Sequence, residues 1–185
     1  MAVTPSQMIP LGTKAPNFTL KDVVSGKTVS LSQLKSKKAN VVVFMCAHCP
    51  FVKHVEKELV KLANDFIPKG VSFIAISSND VLSYPEDSPE NMKRQAKDFK
   101  FPFPYLYDET QEIARAYGAE CTPDFFVFDD SLHCVYRGQF DDSRPGNQMP
   151  VTGEDLRKAL RCLLEGKPIS ENQKPSSGCN IKWKH

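Results

Sequence analysis

The junction between Val41-Val42-Val43-Phe44-Met45 and Cys46-Ala47-His48-Cys49-Pro50 constrains this chain more than any other stretch. The first run is short, apolar and β-branched, the pattern of a strand buried in a parallel sheet. After it, Val52, Val55, Leu59, Leu62 and Phe66 recur at intervals of three and four and predict one apolar helical stripe. Lys53, Glu56, Lys57 and Lys61 fill the opposite face. Pro50 falls in the first turn, where its missing N–H is not needed. Pro68-Lys69-Gly70 ends the helix, and Val71 to Ile76 reads as a second buried strand. A strand, helix, strand order of this kind demands a right-handed crossover to a parallel neighbour.

Two thiols therefore sit at a strand-to-helix switch. The helix N-terminus offers unpaired backbone N–H groups and the positive end of the macrodipole, and both lower a cysteine pKa. The expected nucleophile is Cys46, with Cys49 placed to attack a mixed disulfide formed on it and release the product. His48, between them, is expected to stabilise the Cys46 thiolate when protonated.

The chain has 185 residues and a formal net charge of +2, with Lys and Arg spread along helix-like segments. The length supports one domain, and the balanced charge gives no electrostatic case for nucleic acid or an anionic membrane. Residues 1–10 lack the apolar core of a signal peptide, and no run is long enough to span a bilayer, so a cytoplasmic protein is expected. In that setting, six cysteines read as redox chemistry before a disulfide framework.

Residues 1–10 are expected to form an arm with little structure of its own, residues 11–166 the domain, and residues 167–185 a polar tail. Phe18-Thr19-Leu20 and Val29-Ser30-Leu31 flank Ser25-Gly26-Lys27 as a hairpin. Ser78 to Ser88 is a polar loop at a strand's carboxyl end, the edge where α/β proteins keep their chemistry. Ser88-Pro89-Glu90 starts a helix, and Asp108-Glu109-Thr110 caps a shorter one. Phe125 to Phe128 and Leu132 to Arg137 read as consecutive antiparallel strands. Thr152-Gly153-Glu154-Asp155 caps a final helix carrying Leu156, Ala159, Leu160, Leu163 and Leu164.

This order, with Cys121-Thr122-Pro123-Asp124 before the antiparallel pair, resembles the thioredoxin fold. Leu11-Gly12-Thr13-Lys14-Ala15-Pro16-Asn17-Phe18 and Phe103-Pro104-Tyr105-Leu106-Tyr107-Asp108 look like the alkyl hydroperoxide reductase and thiol-specific antioxidant branch. His48-Cys49-Pro50-Phe51-Val52-Lys53, Asp141-Asp142-Ser143 and Gly178-Cys179-Asn180-Ile181-Lys182-Trp183-Lys184 look like its peroxiredoxin-like group. The fold implied is α/β: a central mixed β-sheet flanked by helices, with an N-terminal β-hairpin extension.

The resemblance implies that Cys46 is the nucleophile, Cys49 the resolving thiol, and Pro123 a cis-proline after Thr122, where the backbone is open to an extended substrate. Cys121 and Cys179 are candidates for additional redox thiols. With Cys49 in the peroxidatic position, Cys46 stands where a peroxiredoxin has threonine and the Thr122-Pro123 corner where it has arginine, so thiol–disulfide exchange is favoured. One alternative is a thiol peroxidase, in which peroxide oxidises Cys49 to a sulfenic acid resolved by Cys46, Cys121 or Cys179. Another is a redox-sensing or metal-delivering module using Cys46, Cys49 and a histidine. On the favoured reading no cofactor or resident metal is expected. The expected partners are protein or small-molecule disulfides and thiols, with peroxide on the second reading, and a reducing partner. Strand edges and the Ser78 to Ser88 loop leave room for a homodimer.

Overall fold

The computed structural model of the chain describes residues 3–185. The chain runs through β1 (Val3–Pro5), β2 (Thr19–Asp22), β3 (Thr28–Ser30), α1 (Leu31–Leu34), β4 (Ala39–Phe44) and α2 (Pro50–Phe66). It continues through β5 (Val71–Ser77), α3 (Pro89–Asp98), β6 (Tyr105–Tyr107), α4 (Glu112–Tyr117), β7 (Cys121–Thr122) and β8 (Asp124–Phe128). It closes with β9 (Cys134–Gly138), α5 (Glu154–Leu164) and β10 (Ser177–Asn180). Seven strands form one mixed sheet in the order β3-β2-β6-β5-β4-β8-β9, and three form a small second sheet, β1-β10-β7.

Every residue of β4 is buried: the apolar run at residues 41–44 as the pattern predicts, and Asn40 with it. β4 pairs parallel with β5 from Ala39↔Val71 to Phe44↔Ile76, and antiparallel with β8 on its other side. The expected hairpin is β2 with β3, and it joins the main sheet by pairing β2 with β6. One sheet face carries Val41 and Val43, covered by α2 (Val52, Val55, Leu59, Leu62, Phe66), α3 (Met92, Ala96) and α5 (Leu156, Ala159, Leu160). The opposite face carries Val42, Phe44, Ile74 and Ile76 under Leu31, Ala114, Tyr117 and Ile181. Alternation along β4 thus feeds two cores. Among the described residues, no helix is long and apolar enough to cross a membrane.

Several expectations need correction. Met1 and Ala2 lie outside the described residues, but Val3–Pro5 is a strand rather than an unstructured arm, paired with β10 through Val3↔Cys179 and Pro5↔Ser177. The tail is docked as well. The Lys182 amide donates to Asn79 Oδ1 at 2.9 Å, and the Arg115 guanidinium lies 4.3 Å from the Trp183 ring centroid. Glu56, expected on the solvent face of α2, is buried and accepts a 2.9 Å hydrogen bond from the Gln95 amide. The start of α5 is held mainly from outside. Asp141 Oδ2 accepts the Thr152 and Gly153 amides, both at 2.8 Å, and so caps the turn that enters the helix. The expected cap on α4 is present: Asp108 accepts the Ala114 amide at 2.9 Å.

Tyr117 anchors the second core. Its ring lies 5.6 Å from Phe44, 5.9 Å from Phe128, 6.1 Å from Phe126 and 6.4 Å from Phe18, and its hydroxyl donates to the Pro16 carbonyl at 2.7 Å. Urea unfolding of Tyr117→Ala should show a loss of about 3–5 kcal/mol, against about 1 kcal/mol for Tyr117→Phe, which removes only the hydrogen bond. Equal losses for the two variants would contradict this packing.

Candidate active site

β4 delivers the chain to the two thiols at the carboxyl end of the sheet. Met45 still donates to the Ile76 carbonyl at 2.9 Å, and the ladder then stops. The Ala47-His48 link that follows is held by Asp87, a fully buried residue on the single turn Pro85–Asp87 of the Ser78 to Ser88 loop. Asp87 Oδ1 accepts the Ala47 and His48 amides at 2.9 and 3.0 Å. Asp87 Oδ2 accepts the Asn79 side-chain amide at 2.8 Å and pairs with His48 Nδ1. The His48 ring also stacks on Tyr84, with centroids 6.0 Å apart.

His48 therefore serves Asp87, and any positive charge it carries is shared with that carboxylate rather than given to Cys46 alone. Cys46, His48 and Asp87 each offer one atom within 4.8 Å of the others, a donor set that a metal could use. Four hydrogen bonds, from the Ala47 and His48 amides, His48 Nδ1 and the Asn79 side chain, converge on the Asp87 carboxylate, however, which marks it first as a clamp on the loop.

Cys46 and Cys49 are both buried. Cys46 Sγ lies 3.7 Å from Thr122 Oγ1, and Cys49 Sγ lies 3.4 Å from the Thr122 carbonyl oxygen. Cys179 reaches the same cluster from β10. Its thiol and that of Cys46 both hydrogen-bond the Cys49 sulfur, and these bonds hold the Cys49 thiol well below its ordinary range. Cys46 moves the other way, because its own proton is committed to Cys49, because it is buried, and because the Asp87 charge opposes a second negative charge. The sequence reading favoured Cys46 as the thiolate, but α2 begins only at Pro50, with Cys49 as its N-cap residue. The macrodipole acts within the first turn and so acts on Cys49.

The Thr122-Pro123 peptide is cis, as the resemblance implied. The edge beside it is not open. β10 pairs with β7 through Cys179↔Thr122 and Asn180↔Cys121. Cys121 is buried with its thiol directed at the Pro123 carbonyl, 3.8 Å away, and burial followed by the nearby Asp124 charge pushes that thiol up. The structure thus gathers Cys46, Cys49, Thr122 and Cys179, and turns His48 and Cys121 to other partners.

Four contributors escaped the sequence reading. Gln95 donates to the Cys46 carbonyl at 3.3 Å and to Glu56 at 2.9 Å, while the Tyr105 hydroxyl donates to Gln95 at 2.9 Å. Burial raises the Glu56 carboxyl. Asp87 lay in a loop already flagged for its position, but nothing in its spacing distinguished it from the other acids there.

The model described as the AhpC/TSA family matches residues 11–137, which include Cys46, Cys49 and Pro123. The chain belongs to the AhpC/TSA family. Among curated relatives, it is 31% identical over 107 residues to a chloroplastic peroxiredoxin Q of Triticum aestivum, covering 58% of this chain and 45% of that protein's length. It is 28% identical over 130 residues to the thiol-disulfide oxidoreductase ResA of Bacillus thuringiensis, covering 68% of each chain. Among solved structures, an uncharacterized conserved protein from Geobacillus kaustophilus shares 63% identity with a TM-score of 0.98, covering 100% of this chain and 97% of that one. The thioredoxin domain of a thiol-disulfide oxidoreductase from Bacteroides vulgatus shares the fold at 21% identity, with a TM-score of 0.65 over 82% of this chain and 99% of that one. This AhpC/TSA chain therefore has the thioredoxin-like α/β fold, and its homologues include both thiol-disulfide oxidoreductases and peroxiredoxins.

Next to the cis-proline, Asp124 is fully buried and its carboxyl is pushed up to about 7 by that burial. Ser6 donates to Asp124 Oδ1 at 2.7 Å, and Asp124 Oδ2 has no partner. An unfolded aspartate ionises near pH 4, so between about pH 4 and pH 7 the unfolded chain releases a proton that the folded chain retains. Stability is therefore fully present below about pH 4 and falls as pH rises to about 7, by up to about 4 kcal/mol from this group. Asp124→Asn should flatten that fall, as read from urea midpoints across the range. An equally steep fall in the variant would contradict the assignment.

Proposed function

We propose that this AhpC/TSA chain is a thiol–disulfide oxidoreductase working through Cys49 and Cys46. The observation that carries the reading is the convergence of hydrogen bonds on the Cys49 sulfur at the start of α2, with Cys46 beside it and Thr122 facing both. The Cys49 thiolate attacks one sulfur of a substrate disulfide, forming a mixed disulfide and releasing the other half as a thiolate that takes up a proton. Cys46 then gives up its proton and attacks the Cys49 sulfur. The substrate's remaining sulfur leaves, and a Cys46–Cys49 disulfide remains for a reducing thiol partner to reopen.

Thr122 positions both sulfurs, and Asp87 fixes the loop between them. Both sulfurs are buried and β10 runs along β7 beside them, so a disulfide reaches Cys49 when a covering element such as β10 moves. A reducing compartment such as the cytoplasm suits this chemistry, since its thiol pool would reopen the Cys46–Cys49 disulfide. The relatives' names, ResA among them, support thiol or disulfide substrates.

A second reading, thiol peroxidase, has one specific observation behind it. Cys49 with Pro50 at the helix start keeps the peroxiredoxin arrangement, and the family includes peroxiredoxins. Exchange is favoured because Cys46 and the Thr122-Pro123 corner fill the places of the peroxide-polarising threonine and arginine.

Oxidised glutathione, added to reduced protein and followed by mass spectrometry, separates the readings. Cys49→Ser should acquire no adduct and lose at least about 100-fold in disulfide reduction, whereas Cys46→Ser should still be oxidised at Cys49. A glutathione adduct on Cys46 in the Cys49→Ser variant would overturn the role given to Cys49. Equimolar peroxide should react slowly, and rapid formation of a Cys49 sulfenic acid would favour the peroxidase.

A further inference from the structure

Cys179 reaches the site on a strand that fills a substrate's place. In β7, Thr122 offers the backbone edge along which an extended polypeptide would add as a further strand. β10 already runs there, antiparallel, with Cys179 directly across from Thr122. Gly178 makes the approach possible, since a Cβ on it would fall 2.0 Å from the Thr122 carbonyl oxygen. The strand is fixed on both sides of its cysteine. The Ser176 hydroxyl donates to the Pro123 carbonyl at 2.6 Å, the Ser6 amide to the Ser176 carbonyl at 2.9 Å, and the Asp80 amide to the Lys182 carbonyl at 2.8 Å. At the centre of this arrangement, the Cys179 thiol is hydrogen-bonded to the Cys49 sulfur. Cys179 lies beyond the residues matched by the family model, which end at 137.

We propose that β10 is a resident substrate strand and that Cys179 is the third redox thiol of the site, taking the disulfide from the Cys46–Cys49 pair. The proposal rests on the exchange chemistry described above. Once that chemistry has left a Cys46–Cys49 bond, the Cys179 thiol gives up its proton and its sulfur attacks that of Cys49. The Cys49–Cys179 bond forms as the Cys46–Cys49 bond breaks, and Cys46 leaves as a thiolate that takes the proton. One disulfide and one thiol stand on each side of the step, so no further oxidant is consumed. The same attack resolves a mixed disulfide on Cys49 when Cys46 is missing. The product ties α2 covalently to β10 and returns Cys46 to the reduced state.

The test compares wild type, Cys46→Ser, Cys179→Ser and the double variant after treatment with oxidised glutathione, with disulfides mapped on non-reduced peptides. Serine keeps the shape of each position. Wild type and Cys46→Ser should yield a Cys49–Cys179 linked pair, and Cys179→Ser only the Cys46–Cys49 bond. Cys46→Ser should shed glutathione at least about 100-fold faster than the double variant, as expected for a thiol already held against its target. A wild type containing only the Cys46–Cys49 bond, together with an adduct equally long-lived in Cys46→Ser and the double variant, would overturn the role of Cys179. Absence of any adduct on Cys49 in the double variant would overturn the exchange reading as well.

Discussion

Pro50 starts α2 one residue after Cys49, and that start decides which sulfur the helix serves. Had the helix begun at Cys46, the macrodipole and the first free amides would have acted on that residue. Instead, Cys46 lies in an irregular link whose Ala47 and His48 amides donate to Asp87. The link can be irregular and partly buried because one carboxylate satisfies both amides, which would otherwise be costly to desolvate. The same carboxylate places negative charge near Cys46 and opposes ionisation there. Two chemically similar thiols are thus pushed apart, Cys49 downward chiefly by its hydrogen bonds with Cys179 and Cys46, and Cys46 upward by its bond to Cys49, by burial and by the Asp87 charge, with the helix start acting on Cys49 alone.

The second organising feature is the small sheet β1-β10-β7. It brings both ends of the chain to the cis-proline corner. Ser6 follows β1, Ser176 precedes β10, and Asp124 follows the proline, so one connected set of hydrogen bonds joins residues distant in sequence. Covering the corner in this way closes an edge that would otherwise present unpaired backbone groups to other chains. It also carries a third sulfur to the pair. The covering strand and the sulfur cluster are therefore one arrangement, and access to Cys49 depends on the elements that close over it.

Much of the fold was legible because local pattern and global architecture agree. The apolar run of β4, the stripe of α2 from Val52 to Phe66 and the hairpin turn at Ser25-Gly26-Lys27 each specify an element on their own. The CxxC was plain in the residues themselves, and the cis-proline followed from resemblance. The first and last segments were misread because neither has a periodic signal. Val3–Pro5 and Ser177–Asn180 are strands only by virtue of pairing with each other and with β7. Glu56 was misplaced because helical spacing cannot show that Gln95, on another helix, waits to satisfy it. The contribution of Asp87 likewise depends on a tertiary approach of the Pro85–Asp87 turn to the loop after β4, which no residue spacing encodes.

The most direct test of the central claim, that Cys49 is the thiolate, is the pH dependence of alkylation read separately for each cysteine peptide of the reduced wild-type protein. A free cysteine titrates near pH 8.5. The account predicts that Cys49 is alkylated with a midpoint well below that value and that Cys46 titrates above it. A low midpoint at Cys46, with Cys49 at or above the free value, would contradict the account and return the nucleophile to the first thiol.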